Sequence, residues 1–175
     1  LLLPIYIADR KRDKMRLMLD WTPGELLSLQ FTANYADDEY DAGRTADNLG
    51  AREGKMEHYS LDAGFSISPE WQLHAWASTS ENSMDQASCV GASSVGDCLE
   101  TAANPTWLAQ LNNAEDAAGL GLEGAIGESF KLGLDATYSD IEDEFGQVSL
   151  TTGGTAPVIP DINTRVTTAS LYGKY

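Results

Sequence analysis

Apolar and polar residues alternate one for one along most of this chain. Met15, Leu17, Leu19 and Trp21 alternate with Lys14, Arg16, Met18 and Asp20. Thr22-Pro23-Gly24-Glu25 then reads as a tight turn by its Pro-Gly pair. Leu27, Leu29, Phe31, Ala33 and Tyr35 follow, set against Ser28, Gln30, Thr32 and Asn34. A helix would place Leu27, Ser28, Gln30 and Phe31 on overlapping faces, whereas a strand separates apolar from polar positions, so the period predicts strand. Alternation resumes with Tyr59, Leu61, Ala63, Phe65 and Ile67 against His58, Ser60, Asp62, Gly64 and Ser66. After a turn at Ser68-Pro69-Glu70, Trp71, Leu73, Ala75 and Ala77 continue against Gln72, His74, Trp76 and Ser78. Farther on, Ala118, Leu120, Leu122, Gly124 and Ile126 alternate with Gly119, Gly121, Glu123 and Ala125. Gly127-Glu128-Ser129 turns the chain, and Phe130, Leu132, Leu134, Ala136 and Tyr138 then face away from Lys131, Gly133, Asp135, Thr137 and Ser139. A last strand, about 164–175, alternates more weakly, and the pattern does not set its facing.

Three long polar stretches, about 36–57, 79–113 and 140–163, separate these pairs and read as loops. Residues 107–118 read either as a short helix or as the outer extension of the next strand. The order is therefore strand, short turn, strand, long loop, three times over, with one extra strand. Short turns on one side and long loops on the other mark outer-membrane barrels. A soluble β-sandwich also alternates, but its connections need not sort by length. The expected fold is all-β: an antiparallel transmembrane β-barrel seen as a partial chain of about seven strands, with short periplasmic turns and long external loops. Residues 1–175 read as a portion of one such domain.

The aromatic positions strengthen this reading. Trp21, Trp71 and Phe130 lie beside the short turns, while Tyr35, Tyr59 and Tyr138 lie beside the long loops, all six on the apolar rows. An aliphatic band between two aromatic rings suits a lipid-facing surface, because Trp and Tyr settle at headgroup level. The opposite row would face the lumen. Its candidates for contact with a partner are Arg16, Gln30, Asn34, Asp62, His74, Glu123, Lys131 and Asp135. Charges of both signs there suit a hydrated interior or a polar protein plug, and would be costly facing lipid.

Composition narrows the partners. A mean hydropathy of -0.28 over 175 residues, without a run of about 20 apolar residues, excludes a membrane helix but not a strand whose alternate side chains are polar. The net charge of -16 argues against nucleic acid. Acid gathers in Asp37-Asp38-Glu39-Tyr40-Asp41 and Glu142-Asp143-Glu144, where it serves solubility more simply than ion binding, since neither segment resembles an EF-hand loop. Cys89 and Cys98 lie in a Gly/Ser-rich stretch and are compatible with a disulfide in an oxidising compartment, or with two free thiols. Leu1-Leu2-Leu3-Pro4-Ile5-Tyr6-Ile7 lacks the basic leader and cleavage site of a signal peptide, and Leu171-Tyr172-Gly173-Lys174-Tyr175 stops as if within a strand. Both ends suggest a mature or truncated chain.

Candidate chemistry is sparse. His58 and His74 fall on the polar row, without a Cys-x-x-Cys-His haem attachment motif. No serine sits in a Gly-x-Ser-x-Gly elbow. Gly119-Leu120-Gly121-Leu122-Glu123-Gly124 imitates a dinucleotide fingerprint but lies inside a strand pattern, where glycine instead permits bending or close approach of a neighbour. No catalytic residues, metal ligands or cofactor-binding residues are expected, and an enzyme is not.

One family likeness emerges from these strands. Ala8-Asp9-Arg10-Lys11-Arg12-Asp13-Lys14 leads into a strand, a Pro-containing turn, a Leu-Ser-Leu strand and Ala36-Asp37-Asp38-Glu39-Tyr40. Pro160-Asp161-Ile162-Asn163-Thr164-Arg165 leads into Leu171-Tyr172-Gly173-Lys174-Tyr175. This order resembles the MtrB/PioB family of decahaem-associated outer-membrane proteins, in alternating blocks over most of the chain. The resemblance implies a large barrel in the bacterial outer membrane that sheathes a periplasmic multihaem cytochrome. The barrel would insulate that cytochrome from lipid and let it meet an outer-surface multihaem cytochrome. Electrons would cross through the partners' haems, and the barrel itself would hold no cofactor. Members carry a signal peptide, further strands and, in some, an amino-terminal Cys-x-x-Cys, so this chain would be an internal or carboxy-proximal portion; the spacing of Cys89 and Cys98 differs from that motif. A porin-like channel for small solutes is the alternative, and a soluble adhesion domain a third reading.

Overall fold

The computed structural model describes residues 9–41, 50–89, 106–149 and 159–175. They form β1 (Asp9–Trp21), β2 (Leu27–Asp41), β3 (Gly50–Ser66), β4 (Trp71–Cys89), β5 (Thr106–Ile126), β6 (Phe130–Ser149) and β7 (Ile162–Lys174). All seven join one sheet in chain order, each antiparallel to the next. No helix occurs among the described residues, and the ambiguous stretch 107–118 is strand.

Register decides the faces, because a slip of one residue would turn every side chain to the other side. Trp21 pairs with Leu29, and the ladder continues through Ala63, Ala75, Leu120, Ala136 and Ala169, an uncharged row across the whole sheet. One residue away, Asp20 leads through Gln30, Asp62, Trp76, Gly119 and Thr137 to Thr168. The register also settles β7: Leu171 lies opposite Leu134 on the apolar face, which turns Tyr172 to the polar face.

The apolar face has no second layer over it among the described residues. Leu19, Leu61 and Leu120 are 55%, 49% and 53% exposed, Phe65 is exposed, and Phe31 and Leu132 are half-buried only by their own sheet. A sandwich would have covered all of these. The apolar runs 27–35, 59–67, 118–126 and 130–138 each have nine residues, close to the roughly 9–11 that a tilted spanning strand needs.

Most of the three stretches expected to be loops prove to be strand. β4, β5 and β6 run for 19, 21 and 20 residues, well past the apolar band on the side of the long connections. Beyond lipid both faces of a strand meet water, so the period-two signal fades while the hydrogen-bonded ladder continues. The short connections are as expected. Gly127 adopts φ 69°, which opens the three-residue turn between β5 and β6. Ser68 Oγ accepts the Glu70 N–H at 3.3 Å in the turn between β3 and β4.

The two faces make opposite demands on a new charge. Leu29→Arg, on the exposed apolar row, should destabilise the folded barrel by roughly 2–4 kcal/mol. Gln30→Arg should be far milder. Denaturant titration of the full-length protein in lipid vesicles measures both, and equal losses would contradict the facing.

Candidate functional site

The polar face is the candidate site, and alternation alone brings its residues there. Arg16 lies opposite Asn34, and Asn34 opposite His58; Gln30 lies opposite Asp62. Gln30 Nε2 donates to Asp20 Oδ1 at 2.6 Å. His74 Nε2 and Asp135 Oδ1 approach to 3.5 Å across the intervening β5. Glu123 lies opposite Gln72 and Gly133, and Lys131 opposite Ala125 and Lys174. All eight residues expected on the lumen row therefore share one face; Arg16 and Asn34, and Gln30 and Asp62, are cross-strand neighbours, and His74 and Asp135 approach each other across a third strand. This is a wall, not a convergent catalytic cluster. No group of three or more His, Cys, Asp or Glu suited to a metal occurs among the described residues.

The wall is kept thin by rings lying over glycine. A Cβ on Gly119 would collide with the Trp76 indole, one on Gly121 with the His74 imidazole, and one on Gly133 with the Tyr172 ring. Each large side chain thus lies along the sheet instead of standing off it. Glycine costs strand stability through entropy and lost packing, and the neighbouring ring restores part of that packing. Trp71 over Gly124 and Phe130 beside Gly173 repeat the device on the apolar face.

At the long-connection end, the Arg12 guanidinium makes a two-pronged contact with the Asp38 carboxylate, whose side chain is only 8% exposed. From this pair the register runs through Gly54, Met84 and Leu111 to Phe145. These residues, with Met56 and Ile159, line a cavity of about 540 Å³. Arg12's hydrogen bonds hold the Asp38 carboxyl below the usual aspartate range, against the opposing effect of burial.

On the apolar face, Trp21, Trp71 and Phe130 lie toward the short turns, and Tyr35, Tyr59 and Tyr138 toward the long connections. Each tyrosine hydroxyl donates to the carboxylate two residues farther from the band: Asp37 at 3.1 Å, Glu57 at 3.2 Å and Asp140 at 3.2 Å. Cys98 and the side chain of Cys89 lie outside the described residues, and the disulfide with them.

Alternation should have found some residues that were overlooked. Arg10, Arg12 and Lys14 share the parity of Arg16, and Trp76 that of His74. Tyr172 and the Arg12–Asp38 pair needed the register, which no single strand reveals.

A family model described as a putative outer membrane beta-barrel porin, MtrB/PioB, matches residues 1–175. The chain is 26% identical over 136 residues to the outer membrane protein MtrB of Shewanella baltica, covering 77% of this chain and 18% of the relative. It thus spans under a fifth of that relative's length. The crystal structure of BauA, the ferric preacinetobactin receptor from Acinetobacter baumannii, is similar with a TM-score of 0.62 at 15% identity. That match covers 94% of this chain and 26% of the receptor, and it shows likeness of fold alone.

Removing Arg12 takes away the two-pronged partner of Asp38 and leaves its carboxylate only the longer contact with Arg10. Arg12→Ala should destabilise the extended end of the sheet by about 1–3 kcal/mol. Because the folded carboxyl is depressed, its stabilising contribution is present above its unfolded value and is lost as pH falls through the folded one. Acid should therefore loosen the parent sheet at this end, whereas in Arg12→Ala protonation of Asp38 should restore part of the loss. Limited proteolysis at neutral and acid pH reads the difference.

Proposed function

The chain belongs to the MtrB/PioB family of outer-membrane β-barrels, and from that premise we propose that it forms part of a barrel wall sheathing a multihaem cytochrome. The family is one of porin-like barrels of the bacterial outer membrane rather than of enzymes. In the proposed arrangement the cytochrome's haems carry electrons across the membrane. The residues of this chain supply the wall. Their apolar row meets lipid, and their paired backbone leaves no polar group open to hydrocarbon along the ladder.

The observation that carries the reading is the low relief of the polar face. Trp76, His74 and Tyr172 lie flat over glycines, so the lumen keeps room for a folded protein close to the sheet. Their rings, with Arg16 on the same face, supply residue types enriched in protein contacts. The residues proposed to touch the occupant are Arg16, Gln30, Asn34, Asp62, His74, Glu123, Lys131 and Asp135. A porin-like channel is the second reading, favoured by the family's description and by the water-accessible charges of the same face.

The two readings differ in what the full-length protein carries. Affinity purification from outer membranes should retain a haem protein, seen by its visible absorbance, and the loaded barrel should conduct little in a planar bilayer. High conductance without any retained haem protein would establish the porin reading instead. Gly119→Leu should push the Trp76 ring into the lumen and reduce haem retention, while assembly into the outer membrane persists.

A further inference from the structure

β1 gathers the cations of an acidic chain. Five of the 11 Lys and Arg fall between Arg10 and Arg16, although the net charge is -16. Arg10, Arg12, Lys14 and Arg16 take alternate positions opposite Tyr40, Asp38, Ala36 and Asn34, which turns all four to the polar face. Lys11 points the other way and meets Glu39 at 3.3 Å. At alternate strand positions the four heads mark a line about 20 Å long.

Among the described residues, the facing positions do not neutralise that line. Asp38 is the one carboxylate opposite it on β2, and it is shared between Arg12 and Arg10, the latter at 3.9 Å. Lys14 and Arg16 are exposed and face Ala36 and Asn34. The next strand adds Gly54, Met56 and His58 at those heights. Besides Asp20, Asp38 and Asp62, the acid of this face lies on β5 and β6, where Glu115 accepts from Ser139 at 2.9 Å and Asp143 from Asn113 at 2.7 Å. The wall is therefore basic at β1 and acidic at β5 and β6.

We propose that the β1 ladder is a docking strip for a carboxylate-bearing face of the polypeptide held inside the barrel, an inference that rests on the sheath reading. Charge complementarity selects an anionic partner. The shape selects an extended one, since four cations in a line along a rigid strand do not converge on a small anion.

The test uses the full-length barrel in detergent micelles: poly-L-glutamate binding is measured on barrel produced without its partner, and retained haem absorbance on barrel purified from its own outer membrane. Lys14→Glu with Arg16→Glu should weaken poly-L-glutamate binding at least about tenfold, whereas Lys11→Glu with Arg165→Glu, equal reversals on the opposite face, should change it less than about twofold. Should the first pair fail to assemble, Lys14→Gln with Arg16→Gln should give a smaller loss in the same direction. Unchanged binding in the inner-face variants, or no binding by the parent protein, overturns the strip. Haem retention lost along with glutamate binding identifies the strip as the partner's seat, and retention that persists when glutamate binding is lost overturns that assignment. A parent protein that binds poly-L-glutamate yet retains no haem protein sinks the sheath reading and leaves the strip standing.

Discussion

Hydrocarbon accepts no unpaired backbone group, and that constraint organises this chain. Every neighbouring pair of strands is joined by an antiparallel ladder, and the paired registers run without a shift through the apolar band. The one register shift among the described residues, between Ala51 and Glu53, falls on the side of the long connections, well past the run 59–67. There water can satisfy what the bulge leaves open. Once the ladder is fixed, the faces follow, because side chains alternate with period two. The outer edges of β1 and β7 have no partner among the described residues. Seven strands are fewer than the smallest barrels of this kind carry.

The same ladder explains where bulk is placed. β5 contributes Gly119, Gly121 and Gly124, and its neighbours lay Trp76, His74 and Trp71 across those positions. The pairing serves different ends on the two faces. Toward lipid, a flattened Trp71 spreads indole surface at the level of the short turns, where an aromatic ring is favourable. Toward the lumen, flattened Trp76 and His74 leave space. A valine or leucine at any of these glycines would restore ordinary strand propensity at the cost of raising a ring off the wall.

How much of this was legible in the sequence depended on what lay on each side of a strand. Within 27–35 one face meets lipid and the other does not, so alternation was clear and the faces of Leu29 and Gln30 could be assigned. Around Thr79–Cys89 nearly every residue is polar, and along Asp140–Ser149 Ile141 and Phe145 turn inward while Asp140, Glu142 and Glu144 turn outward, the reverse of the pattern below, so both stretches looked like loop although the backbone ladder continues through them. The weak alternation of β7 has another cause: Thr167 and Thr168, and Leu171 and Tyr172, place similar side chains on both faces, and only pairing with β6 sorts them. Contacts such as His74 with Asp135 join β4 to β6 across a third strand, a relation no local pattern contains.

Height along the strand gives the charge pattern its physical sense. Met15 pairs with Tyr35, the tyrosine that closes the apolar run on β2, so Arg10, Arg12 and Lys14 stand beyond that level. A cation buried at mid-membrane depth would bear a large desolvation cost even on an inward face. Placed on the protruding part of the sheet, Arg10 and Lys14 stay exposed to water, while Arg12 turns its charge on Asp38. Its carboxylate is nearly excluded from solvent and is held by Arg12 and Arg10 together. The strand extensions therefore carry more than connection: they hold Arg10, Arg12 and Lys14 clear of the apolar band, where their charge does not burden the span below.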